Sequence, residues 1–374
     1  MKSLEEKTER SKHLFCAIDL HLRSMLTGLC LERGEIVYES FNTEDEGGVA
    51  DLIEQLHQLR AQHKGSEVHV SYEASGCGFR LADRLEDAGF EVSVLAPSHL
   101  PQSQKHRSEK TDAKDVLRIM EVLRGSVLAG NRLPKVWIPP EHLRDDRELV
   151  RRRLDLGDSL GQVKNRIHGL LQRWGIRCPD HLKSLWTKKY LSWLDGVAVG
   201  CGHGLGEHLK SLLRELRFWL SELDQLEQEL LSLSSQSKYD RQVSRLTSLK
   251  GVGLLTAMVF LTELGDLKRF GNRRALASYL GLTPRSYESG EHNDRKGHIS
   301  RLGPSRVRKV LNQAALAVIN FSPEWGRWYR ARTRDSKKTY KKKMIVAVMR
   351  RLGIWMWHQG LKAESGIQLS QAVI

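Results

Sequence analysis

Cysteine is scarce and unpatterned in this 374-residue chain. Cys16, Cys30, Cys77, Cys178 and Cys201 are odd in number and scattered, with no C-x-x-C pair. That excludes a disulfide frame and a zinc knuckle, and Cys201 with His203 has no second pair at a metal-site spacing. Long apolar runs are missing as well. The longest, Gly253–Thr262, is too short to span a bilayer. The first dozen residues, MKSLEEKTERSK, carry both signs of charge where a secretory leader is apolar. The expected setting is a reducing cytoplasm, with no membrane partner.

Acidic residues run short in one region. Residues 268–351 hold 22 Lys and Arg against 5 Asp and Glu, so this stretch carries the whole of the chain's +15 surplus. Aromatic residues interleave there: Phe270, Tyr279, Tyr287, Trp325, Trp328, Tyr329 and Tyr340. A solvated basic face is one reading. A footprint for a phosphate backbone is favoured, because one asymmetric basic face suits counterion release. With 40% hydrophobic and 28% charged residues the chain is globular, and its length suits two or three domains.

Residues 12–97 read as mixed α/β. Leu14–Leu20, Met25–Leu31 and Glu35–Phe41 form a plausible three-strand meander, and Leu52, Ile53, Leu56 and Leu59 recur at helical spacing. Val68–Tyr72 reads as a fourth strand, Phe79–Ala88 as a helix and Phe90–Leu95 as a fifth strand. The order βββαβαβ is that of ribonuclease-H-like folds, a step taken by analogy. Thr111 or Asp112 caps a helix running to about Arg124, and Gly125–Pro140 reads as a linker. Residues 141–174 form a long charged helix. From Leu209, Leu212, Leu216, Trp219, Leu223, Leu226, Leu230 and Leu233 alternate steps of three and four. That seam predicts a coiled coil or an antiparallel hairpin joining subunits, against the plainer reading of a helix packed inside one subunit. From Tyr239 the chain is expected to be helical again, with a last helix near Lys343–Gln359.

Four acids sit where such a fold delivers them. Asp19 falls at the end of the first strand and Glu73 at the end of the fourth, while Asp112 and Asp115 share one helix face. Singly, each is an ordinary turn or cap residue. Four converging carboxylates repel unless cations lie between them, and hard oxygen ligands suit Mg2+ or Mn2+, which can clamp a scissile phosphodiester. Further on, Leu249–Gly253 (LKGVG) resembles the hairpin of a helix-hairpin-helix, and Lys250, Gly251 and Gly253 are candidate phosphate contacts, with a ligand-free tight turn as the alternative. The stretch Gly281–Gly290 (GLTPRSYESG) is followed by GHISRLG and is flanked by Arg285, Arg295, Lys296, Arg301 and Arg308. By spacing alone Ser289 is a turn serine with cations near in sequence.

Asp19, Glu73, the Asp112/Asp115 pair, G-L-T-P-x-x-Y-x-S-G and G-x-I-S-R-x-G together resemble the DEDD transposases of insertion-sequence family 110, including its 1111 branch. The segments YEASGCGFRLADRLEDAGFEVSVLAPS and KNRIHGLL are similar to the same family. Val116 after Asp115 and Leu22 after His21 depart from the family's usual alanine and lysine, and neither change removes a functional group.

The resemblance spans about residues 14–360. It implies a RuvC-like (ribonuclease-H-like) domain over 12–125, a helical coiled-coil linker and assembly domain over 141–236, and a helical C-terminal transposase domain over 239–362. It also implies site-specific DNA recombination, with Asp19, Glu73, Asp112 and Asp115 holding divalent metal and Ser289 as nucleophile forming a phosphoserine link. The implied partners are donor and target DNA, an element-encoded bridge RNA, and further copies of the chain as a dimer assembling to a tetramer. The implied setting is the nucleoid of a bacterium or archaeon. Two rivals remain open: a junction-resolving nuclease using metal and water only, and a non-catalytic scaffold that coats RNA or DNA.

Overall fold

A computed structural model describes residues 12–32, 34–45, 47–100, 111–289 and 292–365, with the side chains of 286–296 and 339 outside that description. The chain divides after Ile138 into two compact units.

The first unit is built on β1 (His13–Leu20), β2 (Ser24–Leu31), β3 (Val37–Asn42), α1 (Gly47–Gln62), β4 (Glu67–Glu73), α2 (Arg80–Asp87), β5 (Glu91–Leu95) and α3 (Asp112–Ala129). The strands form one sheet in the order β3-β2-β1-β4-β5. β1–β2 and β2–β3 are antiparallel, whereas β4 lies parallel to both β1 and β5. The meander and the β1–β4 neighbourhood therefore form as the alternation predicts.

β1 is apolar nearly throughout because both of its faces are covered. Leu14, Cys16 and Ile18 enter the core under α1 and α2, while Phe15 and Ala17 enter the core under α3. The edge strand β3 is largely exposed and polar.

α3 starts at Thr111, whose side chain accepts from the Lys114 N–H at 3.4 Å, and ends at Gly130 in the left-handed region (φ 70°). Val116, Ile119, Met120 and Leu123 form its buried stripe. The helix therefore runs through Gly125, where a linker was expected. Apolar burial at Leu123 continues past a residue that only weakens a helix, and the αL stop comes at Gly130. The rest of that stretch is not free either. The Val136 N–H donates to Val94 O at 2.7 Å and the Ala96 N–H to Pro134 O at 2.9 Å, so the segment lines the outer edge of β5.

The second unit contains α4 (Glu141–Arg173), α5 (Lys188–Gly200), α6 (His203–Ser234), α7 (Asp240–Thr247), α8 (Leu254–Leu264), α9 (Arg273–Tyr279), β6 (Pro284–Ser289), β7 (His292–Ile299), α10 (Ser305–Phe321), α11 (Pro323–Thr333) and α12 (Lys338–Glu364). α8 is buried almost all round, which its apolar sequence LLTAMVFLTEL requires. Its last carbonyls are satisfied by a buried cation: Arg147 donates to Thr262 O at 2.6 Å and to Glu263 O at 3.0 Å. The Tyr239 hydroxyl donates to the buried Asp146 carboxylate at 2.6 Å, which Lys238 also meets at 2.8 Å.

The leucine seam of α6 is taken up within the chain. Leu209, Leu212 and Leu216 pack with Leu160, Val163, Ile167 and Leu170 of α4, while Leu230 and Leu233 share a core with Val150 and Leu154. The pairing runs antiparallel, so burying these leucines requires no second subunit. β6 and β7 form an antiparallel hairpin in a region expected to be helical with a turn at Ser289. Its polar, glycine-rich sequence carries little apolar alternation to announce a strand.

Candidate active site

The parallel register of β1 and β4 pairs Ile18 with Tyr72, so Asp19 and Glu73 follow at adjacent strand ends. α3 crosses this end with its first turn and delivers Asp112 and Asp115 there. The helix is held at that depth by Gly28 on β2, where a Cβ would stand 2.5 Å from Val116 Cγ1.

Two linked groups result. His21 Nε2 lies 3.2 Å from Asp19 Oδ2 and 3.6 Å from Asp112 Oδ1. One donor atom from each of Asp19, His21 and Asp112 falls within 4.8 Å of the others, the spacing of groups that share one ion. Beside them, Arg118 Nη2 donates to Glu73 Oε2 at 2.6 Å and lies 3.1 Å from Asp115 Oδ1. Arg118 Nε is buried there with no hydrogen-bond partner among the described residues. Burial pushes the Asp19 carboxyl above its ordinary value; His21 opposes this, and the charges of Asp115 and Asp112 add to it. Crowded hard oxygens with one imidazole, and a carboxyl that resists ionising, fit a divalent cation. The structure thus gathers all four predicted acids at one end of the sheet. It adds His21 and Arg118, which the sequence reading missed. Arg118 stands one helical turn beyond Asp115, and that spacing was its available signal.

The C-terminal candidates lie in the second unit. Ser289 is the last residue of β6, its backbone opposite His292, and Arg295 and Lys296 are on β7 opposite Tyr287 and Ser286. The side chains of these three lie outside the described residues. At the hairpin base, a Cβ on Gly281 (φ 66°) would stand 2.1 Å from Leu302 O. Arg285 donates to Ser300 O at 3.2 Å, and Arg301 is exposed with φ 55°. Arg308, expected to face a phosphate, directs Nη1 to Leu302 O at 2.9 Å, Gly303 O at 3.0 Å and Leu280 O at 3.3 Å. Loop carbonyls close by in the chain accept from that nitrogen. Lys250 is exposed in the turn between α7 and α8. Gly251 (φ 108°) is needed for close packing, since a Cβ there would stand 2.6 Å from Val318 N on α10. Gly253 is the residue before α8 and has open space beside it.

Two family models match the chain. One, described as a transposase of the DEDD kind, covers residues 16–175, and the other, described as Transposase IS116/IS110/IS902 family, covers 243–330. The chain belongs to the IS116/IS110/IS902 family of transposases. Family membership implies an enzyme acting on DNA, a transposase or recombinase, and members use divalent metal, for which the acids at the end of β1 fit. A putative transposase of Sinorhizobium fredii is 28% identical over 96% of this chain and 94% of its own length. A second from the same organism is 29% identical over 75% of this chain, and the match spans 65% of that protein's length. A pilin gene-inverting protein of Moraxella lacunata is 24% identical over 80% of this chain and 83% of its own. Among the described residues no helix is long and apolar enough to cross a membrane.

Proposed function

We propose that this transposase-family chain cleaves and rejoins DNA strands with a divalent metal and Ser289 as nucleophile. The observation that carries the metal half is the gathering of Asp19, Asp112 and His21 within one ion's reach, with Asp115 and Glu73 beside them. Ser289 rests on its place in the G-L-T-P-x-x-Y-x-S-G motif, within the segment that the second family model matches.

Asp19, Asp112 and His21, with Asp115 and Glu73, would hold Mg2+ or Mn2+. Such an ion polarises a phosphoryl oxygen and neutralises charge that develops on it. Arg118 keeps Glu73 and Asp115 side by side against their mutual repulsion. The Ser289 oxygen attacks the scissile phosphorus, forming an O–P bond as the P–O bond to the leaving sugar breaks. The serine proton passes, in net terms, to that sugar oxygen. The covalent link conserves the phosphodiester's energy until another strand's hydroxyl reverses the step. Arg285, Arg295, Lys296 and Arg301 supply positive charge near the serine in sequence, and Lys250, Gly251 and Gly253 a second phosphate contact. The basic C-terminal stretch grips DNA or a guiding bridge RNA along the backbone. Because acids and serine belong to different units, the reading includes sites composed from several copies, a dimer assembling to a tetramer, in the nucleoid of a bacterial or archaeal cell.

The deciding experiment incubates labelled donor DNA with wild-type, Ser289→Ala and Asp112→Asn protein in Mg2+. The reading expects loss of nicking and of the covalent adduct in both variants. A metal-and-water nuclease keeps cutting with Ser289→Ala. A scaffold never cuts, and it retains its function with Asp112→Asn.

A further inference from the structure

A second group of metal-ligating side chains sits on the same strand pair, at its opposite end. β1 begins with His13, which pairs with Glu67 at the start of β4, and Phe15 pairs with His69. Residues two apart on a strand share a face, so His13, Phe15, Glu67 and His69 all project from one side of the sheet. His69 stacks on Phe15 at 5.5 Å between ring centroids, which fixes its ring against the core. His13 Nδ1 and His69 Nε2 face each other at 3.1 Å, and Glu67 Oε2 lies 3.7 Å from the first and 3.8 Å from the second. The three donor atoms lie within 4.8 Å of one another.

These separations approach the edges of a tetrahedral coordination shell. Two ligands at Zn–N distances near 2.05 Å and the tetrahedral angle are about 3.3 Å apart. The histidine pair is already at that separation, and Glu67 needs a shift of only a few tenths of an ångström. Its side chain is 75% exposed and free to make that shift, while His69 is 15% exposed. Two imidazoles and one carboxylate form a borderline donor set that suits Zn2+ or a neighbouring transition ion over Mg2+. Glu91, opposite His69 on β5, is engaged by Lys135 at 3.1 Å, which leaves water for the fourth position. The six residue steps along β1 from His13 to Asp19 put the two sites about 20 Å apart.

We propose that His13, Glu67 and His69 form a second metal site, selective for Zn2+, that clips the start of β1 to the start of β4. The clip acts on the same two strands whose far ends carry Asp19 and Glu73. It serves the sheet, and it stands apart from the strand-cleavage reading.

The test uses full-length protein carrying Asp19→Asn and Asp112→Asn, so that the acidic centre is disabled, stripped with a chelator and refilled with Zn2+. One Zn2+ per chain is expected to remain after gel filtration in excess Mg2+, to raise the melting temperature, and to be replaceable by Co2+ with the intense visible absorption of a four-coordinate site. Adding His69→Ala or His13→Ala is expected to abolish all three signals. Glu67→Gln, on an exposed side chain that threatens no fold, is expected to weaken Zn2+ binding by about 10- to 100-fold, the scale of losing one partner in a metal site. Either of two results overturns the proposal: no Zn2+ retained by the parent protein, which would leave a hydrogen-bonded histidine pair only, or retention that Glu67→Gln and His69→Ala do not change. Loss of strand cleavage in Ser289→Ala bears on neither result.

Discussion

Arg118 and Glu73, 45 residues apart in the chain, meet through an Nη2–Oε2 contact of 2.6 Å. The same nitrogen lies 3.1 Å from Asp115, so one guanidinium bridges an acid from a strand end and an acid from a helix start. It lets two carboxylates stand together before any cation arrives, and it sets where they stand.

Arg118→Ala is therefore expected to lower Mg2+-dependent strand cleavage by about 10- to 100-fold, the usual scale for a group that orients metal ligands. Arg118→Lys should recover little, because a point charge does not reproduce the planar fork. A wild-type rate in Arg118→Ala at limiting Mg2+ would remove the positioning role.

Asp19 gives a pH-dependent prediction. Its carboxyl ionises above the ordinary 3.8 in the folded state because it is buried, and because Asp115 and Asp112 lie near. The folded chain then binds more protons than the unfolded chain at Asp19, so this residue's contribution to stability falls as pH rises through that window. Asp19→Asn should raise the melting temperature of metal-free protein at pH 7 relative to wild type. The gain should shrink as pH falls towards the ordinary aspartate range, and Mg2+ should stabilise wild type more than the variant. Thermal melts at pH 4 to 7, with and without Mg2+, measure this.

Gly28 holds α3 at its working depth. A Cβ there would stand 2.5 Å from Val116 Cγ1 and 2.9 Å from Ile36 Cγ2. Gly28→Ala is expected to cost about 1–3 kcal/mol in urea unfolding, the scale of overpacking a core. Gly28→Ala combined with Val116→Ala should cost less than the sum of the two single changes, because the second makes room for the first.

Arg308 and Arg301 separate a loop clamp from a phosphate contact. Arg308→Ala should leave the salt dependence of DNA binding unchanged and loosen the base of the β6–β7 hairpin, read as faster amide exchange at Leu302 and Gly303. Arg301→Ala should reduce the slope of log K against log salt by about 0.9, one phosphate's worth. Equal slopes for Arg301→Ala and wild type would remove Arg301 from the interface.

The sheet was legible in residue order because its strands carry the pattern of their own burial: Leu14, Cys16 and Ile18 alternate with Phe15 and Ala17 in a strand covered on both faces. The acids were legible as a set through the expected strand ends and the shared helix face, with the family resemblance adding to that, and each alone was an ordinary polar residue. The hairpin bearing Ser289 was not legible as strands, since its sequence carries little apolar alternation. The α6 seam announced a partner without naming it, because an a/d stripe fits any matching apolar stripe, and here α4 of the same chain supplies one.

Local chemistry, written into neighbouring residues, was enough to set the strands, the α3 cap at Thr111, the basic C-terminal stretch and the identity of the acids. Only the folded chain decided that His21 stands between Asp19 and Asp112, that Arg118 bridges Glu73 and Asp115, that Arg308 turns to loop carbonyls, and that His13 meets His69. For the Arg118 bridge and the histidine pair the physical reason is the parallel register of β1 and β4. It brings together residues 56 positions apart at His13 and His69, and such a pairing depends on how two distant strands slide into alignment, which no short stretch of chain encodes.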